Sequence, residues 1–320
     1  MLDELDRQVV HALQLDGRAT FSRVAEVLGV SDQTIARRFR RLRAECDLRV
    51  IGNLDTWRVG ATSWYLRLQC TPDAAQSIAD ALARRPDTAW VRLASGGTEI
   101  SCVTRSGTKA ETDALLLNKL HRTPRIVGIS AHCLIHMFYG GHDSFFAKIG
   151  ALTDEQIEAI SPPWTNQPRD DVPDLGAGDR ALLTVLKRDG RAGLPELATA
   201  TGWSETTVRR RLTELRRSGA LHFDVDVPGP ALGLQMEAMM WLSVAPHAMV
   251  EAAETLALHP EVPFVAATTG PTNIVASLVC RDVGALYEYL TRRVSAIPAI
   301  HHIETNPIVR TLKREGTLLP

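Results

Sequence analysis

Two arginine-rich segments of the chain could bind phosphate groups or the edges of nucleic-acid bases. Residues 31–50 contain six arginines and three acidic residues, and residues 204–223 contain five arginines and two acidic residues. The planar guanidinium group presents a fixed set of donors that fits phosphate oxygens and guanine edges. Such a face is also typical of a solvated helix, so the elements around it decide between the two interpretations.

The residues around the first segment predict two short helices joined by a tight turn. Apolar residues at helical spacing precede Gly29, and a second such run follows Ser31. Glycine tolerates the left-handed conformation of such a turn, and serine caps the helix that follows. Ile35, Phe39 and Leu42 are expected to be buried, which leaves the arginines on the outer face. This is the pattern of a helix-turn-helix.

The whole pattern is written twice. The sequence Asp-Gly-Arg-Ala at residues 16–19 recurs at residues 189–192, an offset of 173 that also carries Gly29 to Gly202 and Ser31 to Ser204. After one inserted residue the offset becomes 174 and aligns Gly96 with Gly270. The chain is therefore a tandem duplication, and its architecture must be assigned twice.

Each predicted recognition helix supplies candidate DNA contacts, because its first turn is where such helices meet bases. Base reading is expected from Asp32, Gln33, Ala36 and Arg37 in the first copy and from Glu205, Thr206, Arg209 and Arg210 in the second. Phosphate contacts are expected from Arg38, Arg40, Arg41, Arg211 and Arg216, with the capping residues Ser31 and Ser204 completing the set. Residues 50–60 and 223–233 are predicted to form a short β-wing after each recognition helix.

A second module follows each helix-turn-helix. In the first copy the periodicity predicts strands at 64–70, 88–93, 99–104 and 125–138, with helices at 72–84 and near 111–121. The order β-α-β-β-α-β is that of a ferredoxin-like sandwich, and residues 238–306 repeat it. One face of the last strand is expected to meet the helices: Val127, Ile129, Ala131, Cys133, Ile135 and Met137. The opposite face is expected to pair with another sheet, within or between chains.

The predicted fold class is therefore α+β, with two tandem units that each join a winged helix-turn-helix to a ferredoxin-like sandwich. The expected boundaries are 1–60 and 61–150 for the first unit, 151–178 for a linker, and 179–233 and 234–320 for the second unit. The linker is rich in proline and polar residues, and its start at 153–160 reads as a short capped helix.

Composition excludes several other classes. The net charge is −1, so any nucleic-acid binding must rest on local charge. The five cysteines form no C-x-x-C pair, which argues against a disulfide framework or a zinc site. The acidic N-terminus and the lack of a long apolar stretch indicate a cytoplasmic protein without membrane partners. No catalytic residue, cofactor or metal is expected; His132, Cys133, His136 and His142 are spaced too loosely for zinc and are interpreted as interface residues.

Three motifs carry a family resemblance. They are Leu2-Asp3-x-x-Asp6, Leu13-x-x-Asp16-Gly17-Arg18 and Gly29-Val30-Ser31-x-x-Thr34-Ile35-x-x-Arg38-Phe39-x-x-Leu42, followed by the β-α-β-β-α-β module. This arrangement resembles the leucine-responsive regulator/AsnC family of bacterial transcription factors over nearly the whole chain, twice. The resemblance implies DNA binding by the N-terminal part of each unit. It implies dimerisation and sensing of a small molecule, often an amino acid, by the sandwich.

The same resemblance suggests where an effector would bind. In the family, effectors lie between sensor modules near the turn between the two middle strands, where Gly-x-x-Asp is usual. The matching residues here are Gly96, Thr98 and Glu99 in the first copy and Gly270, Thr272 and Asn273 in the second. Both copies depart from the pattern, since Glu99 and Asn273 replace the aspartate. A plain hairpin turn is the alternative interpretation.

The expected function is a DNA-binding transcriptional regulator that responds to a small molecule and forms a homo-oligomer through its sandwich modules. The enzyme alternative is a siroheme decarboxylase, a two-unit relative that needs histidine and arginine beside a tetrapyrrole pocket; residues 87–97 and 263–270 contain no histidine. A third class is an assembly or ligand-buffer protein with degenerate DNA-binding units. Differences between the two recognition helices predict an imperfectly palindromic operator.

Overall fold

The computed structural model of the protein describes residues 2–106, 120, 123–141, 145, 148, 150–165, 171–172 and 174–315. The chain divides into two compact units, and each unit combines the matching parts of both copies. The first contains residues 1–59 and 141–232, and the second contains residues 60–140 and 233–320. The predicted boundaries at 60/61 and 233/234 lie one residue from these divisions. The helix predicted near 111–121 falls outside the described residues, apart from Leu120.

The first unit holds two helix-turn-helix heads. Residues of the first head form α1 (Glu4–Leu15), α2 (Phe21–Leu28), α3 (Asp32–Glu45) and β1 (Arg49–Leu54). A short helix, α5 (Asp154–Ile160), packs against it, and the second head forms α6 (Ala177–Arg188), α7 (Leu194–Thr201), α8 (Glu205–Arg217) and β6 (Leu221–Asp226). The glycines predicted at the turns, Gly29 and Gly202, have φ of 66° and 72°, which is the left-handed conformation expected of them.

The two strands predicted as wings take a different form. β1 does not return as a hairpin within its own head; it pairs antiparallel with β6 of the other head, from Arg49 opposite Asp226 to Leu54 opposite Leu221. The wing prediction is therefore corrected. An isolated strand leaves its backbone donors and acceptors unpaired, and the duplicate strand in the same chain satisfies them. Apolar side chains from both heads accordingly form one continuous core.

The repeated Asp-Gly-Arg-Ala sequence joins the heads. The guanidinium group of Arg18 donates to the carbonyl oxygens of Gly190 and Ala192, at 2.6 and 2.9 Å. Arg191 donates in return to the carbonyls of Gly17 and Ala19, at 2.7 and 2.9 Å. Gly17 is required by this close approach, since a Cβ atom there would lie 2.6 Å from the Cβ of Phe223. The repeated Asp-Gly-Arg-Ala motif therefore forms reciprocal hydrogen bonds between the two copies.

The second unit is a closed eight-stranded barrel. Its first sandwich supplies β2 (Thr62–Cys70), α4 (Ala75–Ala83), β3 (Thr88–Ala94), β4 (Glu99–Ser106) and β5 (Ile126–Tyr139). The second supplies β7 (Met236–Val244), α9 (Met249–Ala257), β8 (Phe264–Thr268), β9 (Ile274–Cys280), α10 (Val283–Glu288) and β10 (Ile300–Lys313). The strand order is β10-β3-β4-β2-β5-β8-β9-β7, with β7 also paired to β10.

The last strand of each sandwich closes the barrel by changing partners. β5 pairs with β2 up to Cys133 and then with β8 from Leu134 onward. β10 does the same, pairing with β7 up to Pro307 and with β3 from Ile308. The expected sheet pairing therefore occurs within one chain. Each sandwich keeps its own helix-facing apolar core on the outer side of the sheet.

The predicted orientation of the last strand is wrong in part. Val127 and Ile135 were expected to face the helices but are 68% and 51% exposed. A register shift lies at each of these residues: one between Ile126 and Gly128 in the pairing with β2, and one between Leu134 and His136, where the strand joins the other sheet. Because side chains alternate with a period of two, one such irregularity reverses the face on which later residues lie.

A partly buried carboxyl group lies in the contact between the heads. Gln14 donates to the side chain of Asp224 at 2.6 Å and accepts from the amide of Val225 at 3.0 Å. Burial raises the pKa of Asp224 to about 6, and the nearby charge of Asp226 adds to this rise. The protonated form is therefore the one that the folded state favours, and Asp224 contributes stability below pH 4 that is lost as the pH rises through 6.

We predict that Asp224→Asn removes this pH dependence. Near pH 4 the variant and the wild type should unfold with similar free energies, and at pH 7 the variant should be more stable by on the order of 1–3 kcal/mol. Urea unfolding between pH 4 and 7 measures the difference. Burial lowers the pKa of His11, which has the opposite effect on stability; it is present in both proteins and cancels. Parallel curves across this range would contradict the assignment.

Candidate nucleic-acid interface and effector turns

Both recognition helices are built from the same local signals. The hydroxyl of Ser31 accepts from the amide of Thr34 and begins α3, and that of Ser204 accepts from Thr207 and begins α8, each at 3.2 Å. The buried side chains are those that the helical spacing predicts: Ile35, Phe39 and Leu42 in α3, and Val208, Leu212 and Leu215 in α8. Each helix therefore presents one fixed polar face outward.

The predicted base-reading residues are exposed, apart from Ala36, which is partly buried. Asp32, Gln33 and Arg37 project from the first two turns of α3, and Glu205, Thr206, Arg209 and Arg210 from those of α8. Arg40 is also exposed, and its Nε donates only to the carbonyl of Ala36, one turn back, at 3.3 Å. These arginines can therefore meet an external anion without first breaking an ion pair with the described residues.

Four of the arginines predicted to contact phosphates are instead paired with carboxylates of the protein. Arg38 binds Asp6 at 2.9 Å and also contacts Asp3, and Arg41 contacts Asp6 as well. In the second copy, Arg211 binds Asp179 through two hydrogen bonds of 2.7 and 2.9 Å.

Arg216 is the fourth, and it reaches across to the other head. Its guanidinium group binds Asp16 at 2.7 Å. That these four arginines contact phosphates stays a prediction, and in the structure each of them is already paired with a carboxylate of the protein.

The paired arginines hold each recognition helix against the first helix of its own head. Asp6 and Asp179 occupy equivalent positions, 173 residues apart, in the first turns of α1 and α6. Burial raises the pKa of Asp179, but hydrogen bonds from Arg211 and the Gly176 amide outweigh burial and place the pKa below its ordinary value. The charged pair is therefore the folded form. The role of these carboxylates was not predicted from the sequence. Both partners do recur at one spacing, since Asp6 and Arg38 reappear 173 residues later as Asp179 and Arg211.

The predicted effector residues of the first copy lie at the turn between β3 and β4. Gly96 has φ of 74° and is exposed, as is Thr98, whose hydroxyl donates to the Ser95 carbonyl at 3.1 Å. Glu99 is buried and binds Arg67 at 2.9 Å, and Arg67 also binds Glu304 at 2.5 Å. Burial lowers the pKa of Arg67, but the two carboxylates outweigh burial and raise it above its ordinary value. The carboxylate of Glu99 is therefore already neutralised.

The equivalent turn of the second copy is closed differently. The side-chain amide of Asn273 accepts from the Val244 amide at 2.9 Å and donates to the Val244 carbonyl at 2.8 Å. Thr272 is buried, and Gly270 is exposed with φ of 119°. A Cβ atom at Gly270 would lie 2.5 Å from the ring of His132. Both turns therefore have exposed backbone at a glycine. The side chains that differ between them, Glu99 and Asn273, are bonded to other groups of the protein.

The histidines near β5 form no metal site among the described residues. His132 is buried, and its Nδ1 lies 2.8 Å from the Thr269 carbonyl oxygen. His142 lies outside the described residues, and within them no group of three or more histidine, cysteine, aspartate or glutamate residues is placed to hold a metal ion. In the part of the chain that the structure describes, no helix has the length and apolar character needed to cross a bilayer.

The fold and the exposed recognition helices define a class of protein in which a helix-turn-helix is coupled to an α+β sensor module. The profile of the AsnC-type helix-turn-helix domain matches residues 2–43 and 177–216. The profile of the Lrp/AsnC ligand-binding domain matches residues 237–318. The chain belongs to the Lrp/AsnC family of helix-turn-helix transcriptional regulators.

Two regulators illustrate this membership. The HTH-type transcriptional regulator FL11 of Pyrococcus horikoshii is 32% identical over 143 residues, which cover 44% of this chain and 93% of FL11. The regulator Ptr1 of Methanocaldococcus jannaschii is 24% identical and covered to 96%. Among solved structures, the siroheme decarboxylase NirDL aligns with a TM-score of 0.63, covering 98% of this chain and 93% of NirDL at 14% identity. At that identity the likeness concerns the fold.

We predict that two adjacent arginines of α8 have separate effects on stability. Arg211→Ala should lower the free energy of unfolding by about 2–4 kcal/mol, because it leaves the buried carboxylate of Asp179 unpaired. Arg210→Ala should change it by less than about 0.5 kcal/mol, because Arg210 is exposed. Urea unfolding followed by circular dichroism measures both, and equal effects would contradict the division into positioning and exposed arginines.

Proposed function

We propose that α3 and α8 read two half-sites of one DNA operator, one helix in each major groove. The observation that carries this proposal is that the arginines of each helix fall into two groups, one paired with carboxylates and one exposed. Arg38 and Arg211 anchor the helix to its own head, while Arg37, Arg209 and Arg210 remain exposed on the outer face near its start. A rigidly held helix with exposed guanidinium groups near its N-terminal end suits base recognition.

The residues divide into two proposed roles. Base contacts fall to the exposed residues at the start of each helix, namely Asp32, Gln33, Arg37, Glu205, Thr206, Arg209 and Arg210. Arg40 contacts phosphate, as do the helix starts at Ser31 and Ser204, where backbone amides face outward. Arg38, Arg41, Arg211 and Arg216 serve binding by positioning the helices. The two sets of base-reading residues differ, which favours an operator with unequal half-sites.

Duplication gives one chain both reading heads. The reciprocal bonds of Arg18 and Arg191 and the pairing of β1 with β6 join the heads. Once the first head is bound, the second is presented at high effective concentration, so that two individually weak contacts combine.

We predict that exchanging exposed arginines for alanine separates base reading from general attraction. Arg37→Ala and Arg210→Ala should each cost about 1–3 kcal/mol of binding to a selected operator and relax the base preference. Arg40→Ala should weaken binding to all duplexes alike and reduce the salt dependence by about one phosphate contact. Fluorescence anisotropy on a fragment selected from genomic DNA, and on an unrelated duplex, measures both effects.

Arg84→Ala serves as the control, because Arg84 is an exposed arginine at the end of α4, outside the heads. It should leave both affinities unchanged. Undiminished binding by the combined Arg37→Ala and Arg210→Ala protein would refute the assignment of the recognition helices.

We further propose that a small molecule bound in the barrel unit modulates DNA binding. The turns at Gly96–Glu99 and Gly270–Asn273 are the proposed place, since Gly96, Thr98 and Gly270 leave polar backbone exposed there. Because Glu99 and Asn273 are engaged by Arg67 and Val244, ligand contacts in this proposal come from backbone and hydroxyl groups of the turns. An effector that favours one arrangement of the sandwiches would shift the population of binding-competent protein.

An enzymatic alternative rests on the likeness of the whole chain to siroheme decarboxylase NirDL. Against this alternative, the ring of Trp241 lies 4.9 Å from the rings of both Tyr65 and His132. The guanidinium group of Arg67 lies 5.1 Å from the Trp241 ring and is held by Glu99 and Glu304. These described residues contact one another rather than leaving a histidine and an arginine free. We therefore propose a regulator without catalytic activity.

Absorbance titration with siroheme distinguishes the two functions. We expect no saturable spectral shift at micromolar protein and full operator binding by the same preparation. A saturable shift with one siroheme per chain, together with failure to bind any duplex at low salt, would favour the enzyme. Failure of both assays would favour the assembly or ligand-buffer class.

We propose that chains associate further through the outer face of the second sandwich. Four large apolar side chains are exposed on its helices, namely Val250, Leu258, Val283 and Tyr287. Val283 and Tyr287 lie one turn apart on α10, so they share a face. An apolar patch of this kind suits a second copy of the chain.

We propose a cytoplasmic location, since a regulator of this family must reach chromosomal DNA.

A further inference from the structure

A polar cavity of about 300 Å³ lies between the two heads of the first unit. Its walls come from both copies. The first copy supplies Phe39 and Arg43 of α3 together with Asp47 and Arg49 at the start of β1, and the second copy supplies Arg188 and Asp189 at the end of α6. Three guanidinium groups and two carboxylates therefore surround one opening, beside an aromatic ring.

The duplication provides an internal comparison for this cavity. The residues equivalent to Arg43 and Asp189 are Arg216 and Asp16, 173 positions away in opposite directions. There the site is filled by the protein itself. The guanidinium group of Arg216 lies 5.1 Å from the centre of the Trp164 ring and 5.4 Å from that of Phe223. Trp164 follows α5, between the two copies, so the duplication provides no counterpart for it in the first copy.

The two equivalent ion pairs differ in length and in the exposed fraction of their side chains. Arg216 and Asp16 are separated by 2.7 Å, and their side chains are 17% and 18% exposed. Arg43 and Asp189 are separated by 4.0 Å, and their side chains are 52% and 41% exposed. The first copy thus retains the arginine and the aspartate, and Arg43 lies 5.8 Å from the centre of the Phe39 ring, but no second ring of the described residues covers it as Trp164 covers Arg216.

The remaining charges indicate what would occupy the opening. Asp47 is already paired with Arg49, at 2.9 Å. Arg188, whose equivalent in the filled site is Leu15, makes no ion pair with the described residues. A ligand that replaces Trp164 must offer a flat ring to Arg43, and Arg188 adds a place for one negative charge. Guanidinium groups bind both, by stacking on rings and by paired hydrogen bonds to carboxylates.

We propose that this cavity binds a small aromatic carboxylate, whose ring stacks on Arg43 and whose carboxylate binds Arg188. The volume is at the lower end of that of ligand pockets, which suits one or two fused rings with a short acidic side chain. Because the walls belong to both heads, the bound ligand holds the two recognition helices in one relative arrangement. This last consequence rests on the proposed DNA-binding function, whereas the binding itself does not.

Isothermal titration of the full chain with indole-3-acetate tests the site directly. We expect saturable binding of one ligand per chain, despite the duplication, because Trp164 fills the second position. Indole, which lacks the carboxylate, and acetate, which lacks the ring, should each bind at least tenfold more weakly. Arg43→Gln and Arg188→Gln should each weaken binding of indole-3-acetate at least tenfold.

Arg7→Gln is the matched control, since Arg7 is an exposed arginine of α1 outside the cavity. It should leave the affinity unchanged, and thermal unfolding of all three variants checks that they remain folded. No saturable binding, two ligands per chain, or wild-type affinity of the folded Arg43→Gln and Arg188→Gln variants would overturn the proposal. Operator binding is measured on the same preparations without ligand, so a failure of DNA binding is distinguished from a failure of this site.

Discussion

Two partly buried guanidinium groups, each bonded to the backbone of the opposite copy, are the interaction on which the paired heads depend. Arg18 and Arg191 each donate to two backbone carbonyl oxygens of the other copy. Burial lowers the pKa of both arginines. Two hydrogen bonds from each guanidinium group to carbonyl oxygens of the other copy offset part of the cost of desolvation. Because each arginine serves the other copy, the interaction exists only when both copies are folded together.

The barrel also depends on contacts that each copy makes with the other. β5 and β10 each begin in their own sheet and end in the other, so neither sandwich has a complete set of strand partners without its duplicate. Closure removes the open sheet edges that would otherwise bind other chains. In both units these contacts require two equivalent modules, and a single polypeptide supplies both. Fusion makes those contacts intramolecular and therefore independent of protein concentration.

Duplication also frees the copies to diverge, and the structure shows where they have. The arginine that anchors each recognition helix is retained in both, as Arg38 and Arg211. The turn side chains differ, since Glu99 forms an ion pair and Asn273 binds backbone. Trp164 covers one of two equivalent arginines and leaves the other open. Features that hold the fold are thus symmetric, and features suited to selective recognition are asymmetric.

The sequence alone determined what depends on neighbours within a few turns of chain. Serine caps, the glycine turns at Gly29 and Gly202 and the buried stripe at Ile35, Phe39 and Leu42 follow from helical periodicity and backbone conformation, so they could be predicted. The duplication was equally visible, because equal spacing needs no structure. The division of the arginines could not be predicted, since an outward-facing guanidinium is free or paired according to carboxylates on another helix. The pairing of β1 with β6, the reversal of face in β5 and the engagement of Glu99 by Arg67 were likewise decided by the tertiary structure, because each depends on residues brought together from distant parts of the chain.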